Sequence, residues 1–243
     1  MALNASEKSL QGYARLTGFM WLCLLVVSLA PTALTSGIDV PGDFAQSAGN
    51  AAAAEQLYRI SLAVDIISGV TAIVFMWAFY ALLRAVHADL ALFALLCRFA
   101  EVSTGAGMIV SSFTALENYT GATGDFGVGA RQALHELIFA GHDGAMYIAS
   151  ITFAVGSTVF FYLLFQSRFV PRFLSGLGML GSVIGAMFSF AYVLVPAQVP
   201  ALGIVAWMPM LIAEVGTGLW LLIAGANLKY WNNSRSVDRR ADA

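Results

Sequence analysis

Six ionisable side chains interrupt the apolar stretches of this 243-residue chain: Asp65, Arg98, Glu101, His142, Asp143 and Glu214. A charged side chain in lipid hydrocarbon costs about 2.5–3.5 kcal/mol on insertion scales, so such residues are retained mainly where they have a task. Carboxyl groups near a histidine and an arginine can perform general acid–base chemistry, carry protons or bind a cation. These six residues are therefore the first candidates for a functional site.

The charges within these stretches do not balance. Four carboxylates carry four negative charges, whereas Arg98 supplies one positive charge. Protons or a bound cation can make up the difference. Glu214 is the clearest case, because no basic residue lies within one helical turn of it. We predict that Glu214 and Asp65 form an acid/base pair, with His142 and Asp143 as a proton relay.

The remaining candidates have structural as well as functional readings. Arg98 and Glu101 are three residues apart, so they can pair on one helical face, either structurally or as part of a catalytic set. Arg98 would then orient Glu101 or bind an anionic group of a substrate. Trp207 precedes Glu214 by seven residues, on or near the same face. We predict that Arg98, Trp207 and Tyr147 contact substrate.

The signal for a cofactor is weak. His142 and Asp143, with carboxylates from other helices, could hold a divalent metal ion, and a haem with His142 as axial ligand is a less favoured alternative. His135 and His142 are separated by about 10.5 Å along a helix, too far for both to bind one zinc ion easily. The cofactor therefore stays open.

The composition identifies the elements that must position these residues. Charged residues make up 11% of the chain and hydrophobic residues 59%, whereas a soluble domain has about 25% charged residues. About 20 apolar residues cross a bilayer, so we predict an all-α, six-helix transmembrane bundle over residues 16–228. A cytoplasmic segment (1–15) precedes it and a polar cytoplasmic tail (229–243) follows it. The predicted spans are Leu16–Ser36, Ile60–Arg84, Asp89–Ala115, Ala133–Gln166, Phe173–Pro196 and Gly203–Leu228.

Two further patterns concern the connections and the packing of these spans. The long loop Gly37–Arg59 contains a turn at Pro41–Asp43, and its alanine-rich part predicts a short surface helix. Small residues four apart predict close helix contacts. One such row is Gly181 with Gly185, and another is Ser103, Gly107 and Ser111.

Several short motifs carry a family resemblance. They are Pro41-Gly42-Asp43, Leu57-Tyr58-Arg59 with Asp65, Arg98 to Glu101, His142-Asp143, and the turn from Phe165 to Arg172. Together they resemble the bacterial membrane family catalogued as domain of unknown function 4386, over almost the whole chain. The resemblance implies a six-helix protein of the bacterial cytoplasmic membrane, and it implies no activity.

Three hypotheses of function follow. The first is an acid/base or metal-assisted enzyme acting on a small lipophilic molecule, of the isomerase, cyclase or hydrolase type, with an outward-facing polar site in the membrane. The second is a proton-coupled small-molecule transporter or binding protein. The third is an accessory subunit with charges paired at an oligomer interface, and a homo-oligomer is compatible with all three. No basic stripe indicates nucleic acid as a partner, which leaves the lipid bilayer and a small lipophilic molecule.

The distribution of basic residues predicts the orientation of the chain. Nine of the twelve Lys and Arg residues fall on the side of the two termini and two on the other, while Arg98 lies inside a span. Basic residues are enriched in cytoplasmic loops, so both termini should be cytoplasmic. A fluorescent protein fused after Ala243 should fluoresce in a bacterial host, and alkaline phosphatase inserted at Gly124 should be active. The reverse pattern would contradict this orientation.

Overall fold

Helices account for almost all of the chain. The computed structural model describes residues 5–122, 124, 126–195 and 203–229. These residues form seven α-helices and no strand, and six of the helices are long and apolar enough to cross a membrane. The predicted all-α fold with six spans is thus confirmed. The helices are α1 (Ala5–Thr35), α2 (Phe44–Ala53), α3 (Glu55–Leu83), α4 (Ala88–Thr120), α5 (Val128–Ser167), α6 (Arg172–Leu194) and α7 (Gly203–Ile223).

The observed helices are mostly longer than the apolar stretches that predicted them. α1 begins at Ala5, so most of the segment before Leu16 is helical. The last helix instead ends at Ile223, five residues before the predicted Leu228, and Gly225 follows it with a φ of +72°, which favours glycine. The predicted short surface helix is α2. Pro196 and the tail after Lys229 lie outside the described residues.

The six spanning helices form a closed ring. Each helix contacts the next in the order α1, α3, α4, α5, α6, α7, and α7 packs back against α1, whereas α2 lies against α4 and α3. The start of α1 and the residues that follow α7 lie at one end of this ring. There the Gln11 amide donates to the Ala226 carbonyl oxygen (2.6 Å) and accepts from the Ala226 backbone N–H (3.0 Å).

Glycines allow three close contacts in the ring. A Cβ on Gly18 would lie 2.6 Å from the Gly218 carbonyl oxygen, so α1 and α7 touch backbone to backbone. Gly181 lets the α7 backbone at Met210 approach α6, and Gly185 makes room for the Trp207 ring, which confirms the first predicted row of small residues. The second predicted row is wrong within this chain. A Cβ on Gly107 would meet nothing within 4 Å, because this face of α4 turns away from its neighbours.

The buried side chains fall into two clusters. The larger occupies the half of the ring nearer the termini, and the smaller lies under α2 at the other end. Between them is a region that we call the middle stretch: residues 63–71 of α3, 99–114 of α4 and 128–153 of α5. None of these residues is buried. The middle stretch contains Asp65, Glu101, His142, Asp143 and Tyr147.

The contact between α1 and α7 can be tested with a single methyl group. Gly18→Ala places a Cβ against the α7 backbone, and we expect it to destabilise the protein by about 2 kcal/mol, as overpacking usually does. Gly12→Ala on the same helix enters open space and should be neutral or stabilising by up to about 1 kcal/mol. Thermal unfolding in detergent measures both variants. Equal melting temperatures would contradict the close contact.

Candidate functional site

A small cavity lies inside the ring, in the half nearer the termini. Five of the six spanning helices contribute to its wall: Trp21 (α1), Phe75 and Phe79 (α3), Arg98 (α4), Ser157, Phe160 and Phe161 (α5), and Glu214 (α7). Its volume is about 10 Å³, which is roughly the space that one water molecule needs. The cavity therefore brings an arginine and a glutamate together inside a wall of aromatic rings.

The Arg98 side chain reaches the cavity from α4. It is 5% exposed, and its Nη1 lies 2.9 Å from Oε2 of Glu101 one turn further along the helix, at an angle that makes an ion pair but no hydrogen bond. The same nitrogen donates a long hydrogen bond to Ser157 Oγ (3.5 Å). Gly156 makes room for this arrangement, since a Cβ there would lie 3.1 Å from Arg98 Cγ.

Aromatic rings enclose the Arg98 guanidinium. Its Cζ lies 4.3 Å from the ring centroid of Phe153 and 6.0 Å from that of Phe75, distances at which a ring face attracts a cation. Arg98 Nε is buried without a hydrogen-bond partner among the described residues. A buried donor without a partner is costly, so the guanidinium retains capacity to bind a further acceptor, such as a water molecule or a ligand oxygen.

Glu214 approaches the cavity from α7. It is 9% exposed and interacts electrostatically with Arg98 and Glu101, and its carboxyl lies within hydrogen-bonding reach of the Trp21 side chain. The structure thus brings together three of the predicted site residues: Arg98, Glu101 and Glu214. With both carboxyls ionised, this group, which we call the acid–arginine cluster, carries two negative charges and one positive charge.

The other predicted residues lie outside the cavity wall. Asp65 of α3 and His142 of α5 are within electrostatic range of each other across the middle stretch. Asp143 is exposed and interacts with Tyr147, whose ring stacks on Tyr192 of α6 at a centroid distance of 4.4 Å. The predicted polar residues therefore form two groups: the acid–arginine cluster, where the middle stretch meets the packed core, and a less buried group of Asp65, His142, Asp143 and Tyr147.

Trp207 contacts the acid–arginine cluster only through the Phe153 ring. Its ring meets Phe153 edge to face at a centroid distance of 5.7 Å, and Phe153 in turn covers the Arg98 guanidinium. Trp207 fits against α6 because Gly185 has no side chain. Trp207 thus holds Phe153 against Arg98 and does not itself line the cavity.

Sequence reasoning missed the wall of the cavity. Trp21, Ser157 and four phenylalanines were not predicted as site residues, because an aromatic or small residue in an apolar span is equally common facing lipid or facing a helix. The one available signal was Gly156-Ser157, a small pair in α5 that admits the long Arg98 side chain.

The residues considered as metal ligands do not form a preorganised site. The part of the chain that the structure describes contains no cluster of three or more His, Cys, Asp or Glu side chains able to hold a metal ion. His142 faces Asp65, while Asp143 interacts with Tyr147.

The Arg98 ion pair can be compared with an exposed pair in the same protein. Arg98→Gln leaves two carboxylates without their cation, which should cost about 3–5 kcal/mol, as breaking a buried pair does. Arg59 and Glu55 form an ion pair at 2.8 Å with both side chains more than 40% exposed, so Arg59→Gln should cost about 0–1 kcal/mol.

The pH dependence of the Arg98 variant provides a second criterion. Protons neutralise the unpaired carboxylates, so lowering the pH should recover part of the stability that Arg98→Gln loses. Thermal unfolding in detergent at several pH values measures this recovery. An Arg98 variant as stable as the Arg59 variant, or one further destabilised by acid relative to the unmodified protein, would contradict the structural role of Arg98.

Comparison with known proteins agrees with this description. Residues 16–225 match the profile of the family described as Domain of unknown function (DUF4386). No curated protein and no solved structure gave a match. The matched region runs from α1 to the end of α7 and includes the whole acid–arginine cluster. The chain is thus a multi-pass helical membrane protein that belongs to the DUF4386 family.

Proposed function

We propose that this protein binds and releases a proton at the acid–arginine cluster, and that the proton is coupled to the transport or binding of a small lipophilic molecule. One observation carries the proposal: the Arg98 guanidinium and the Glu214 carboxyl, from two helices, line a cavity of about one water molecule's size, and Glu101 forms an ion pair with the same arginine. Such a cavity accommodates a proton or a water molecule, and a larger ligand requires the ring to open.

Charge arithmetic supports a proton as the first ligand. The ionised cluster has one negative charge more than Arg98 can compensate, and uncompensated charge is costly away from water. One proton on Glu214 makes the cluster neutral. Glu214 is better suited to this role than Glu101, because Glu101 has the closer contact with Arg98.

The different packing of the two halves of the ring supports proton access to Glu214 from one side of the membrane. The half of the ring nearer the termini is filled by the larger buried cluster, which includes Phe75, Phe79, Phe160 and Leu164. The middle stretch instead carries Asp65, His142 and Asp143 on helix segments without buried residues. Protons would reach Glu214 through this polar region, from the end of the ring opposite the termini.

The same cluster offers a coupling mechanism. Arg98 lies on α4 and Glu214 on α7, so their attraction helps to hold two non-adjacent helices of the ring around the cavity. A proton on Glu214 removes its negative charge and weakens this attraction. The cavity could then widen to admit a lipophilic molecule between the aromatic rings, which would couple ligand binding to protonation.

A second candidate is an enzyme that acts on a small lipophilic molecule by acid–base chemistry. The aromatic wall favours it, because five rings beside Glu214 would bind an apolar or unsaturated substrate. Glu214 would be the general acid, Asp65 or Glu101 the base, and Arg98 the group that holds a developing negative charge. The size of the closed cavity makes this the second choice. An accessory role is disfavoured, since Arg98 and Glu214 face into the ring.

Proton binding can be observed directly. Infrared difference spectra between acidic and neutral pH should contain the carboxylic acid C=O band of Glu214, and Glu214→Gln should remove that band while the protein stays folded. Glu55→Gln is the matched control, because Glu55 is exposed and paired with Arg59. Loss of the band only in Glu101→Gln would assign the bound proton to Glu101. Spectra that neither Glu214→Gln nor Glu101→Gln changes would refute the proposal.

A further inference from the structure

A second and larger cavity lies at the end of the ring opposite the termini. Its volume is about 170 Å³, more than ten times the space that one water molecule needs. It lies between the segment that follows α1, the start of α2 and the first turns of α5. The side chains that give it chemical character are Asp39, Asp43, Glu136, His135, Phe44 and Phe139.

Hydrogen bonds hold the acidic side chains of this cavity in place. Asp39 accepts a hydrogen bond from the Tyr119 hydroxyl (2.9 Å) and lies 3.4 Å from Nε2 of His135. Asp43 accepts from the Gln46 backbone N–H (2.9 Å) and so caps α2. These bonds fix the positions of the carboxylates but do not neutralise their charge.

The cavity retains an excess of negative charge. Asp39, Asp43 and Glu136 carry three negative charges, and Arg131 is a nearby cation. The Arg131 guanidinium donates to the carbonyl oxygens of Asn118 and Tyr119 and lies over the Phe44 ring, with its Cζ 5.4 Å from the centroid. With His135 uncharged, two negative charges remain for a ligand to balance, and with His135 protonated one remains.

Aromatic rings form the other part of the wall. His135 contacts both phenylalanines, with centroid distances of 4.5 Å to Phe139 and 5.6 Å to Phe44. Phenylalanine faces attract organic cations, and carboxylates add charge attraction. A bare metal ion would need several oxygen or nitrogen ligands converging on one point, and these described residues form no such cluster.

We propose that this cavity binds a small organic ammonium ion from the solution on that side of the membrane. The carboxylates balance its charge, and the rings of Phe44 and Phe139 contact its carbon atoms. The site is separate from the acid–arginine cluster, so it does not depend on the proposed proton binding.

Choline and its uncharged analogue 3,3-dimethylbutan-1-ol, which differ in the cationic nitrogen, test the proposal. Isothermal titration calorimetry of the purified full chain in detergent, at constant ionic strength, should show binding of choline and none of the alcohol. Glu136→Gln and Phe139→Leu should each weaken choline binding about fivefold or more, since each removes one attraction for a cation.

Matched controls keep the experiment specific. Glu117→Gln makes the same charge change on α4 without lining the cavity, and Phe126→Leu removes an exposed ring from a nearby loop. Both controls should bind choline as the unmodified protein does. Asp43 is left unchanged because it caps α2, and thermal unfolding confirms that each variant is folded.

Four results would overturn the proposal. They are no binding of choline, equal binding of the uncharged alcohol, binding that Glu136→Gln and Phe139→Leu leave unchanged, and displacement of choline by millimolar Ca²⁺ or Mg²⁺ at constant ionic strength. The last result would assign the cavity to a metal ion instead.

Discussion

A guanidinium enclosed by helices must be matched by negative charge, and Arg98 is matched by Glu101 on its own helix and by Glu214 on α7. Neither partner alone accounts for the arrangement, because two carboxyls exceed one cation. The aromatic side chains that line the cavity leave space for about one water molecule, so little solvent is available there to screen these charges. The order of the helices in the ring places α4 and α7 at the same cavity.

Much of the fold was predictable from hydropathy, since six apolar stretches of sufficient length give six spans. The helix ends were less predictable, because hydropathy reports only the part in lipid, while α1 continues for eleven residues on the polar side of Leu16. The charged members of the cluster were also predictable, as Arg98, Glu101 and Glu214 are conspicuous in apolar sequence. Their neighbours were not, because the position of Trp21 or Phe161 depends on which helices are adjacent in the ring.

The two halves of the ring differ in a way that bears on function. Toward the termini, large side chains such as Phe79, Phe161 and Leu164 fill the interior. Toward the other end, α3, α4 and α5 run through the middle stretch without a buried residue, although the small cluster under α2 holds their far ends together. A membrane protein with one packed half and one loosely packed half can change shape in the second while the first stays fixed. Asp65 and His142 lie where such a change would occur.

The backbone contact between Gly18 and Gly218 joins the first and the last spanning helix. During synthesis, a ring that closes at this contact stays open until α7 has entered the membrane. Trp21 of α1 is made before Glu214 of α7, so the cavity beside Arg98 is completed only after α7 has been inserted. Until then the arginine has Glu101 as its nearest counter-charge, and the incomplete assembly remains accessible to water or lipid. The insertion of α7 therefore both closes the ring and completes the candidate site.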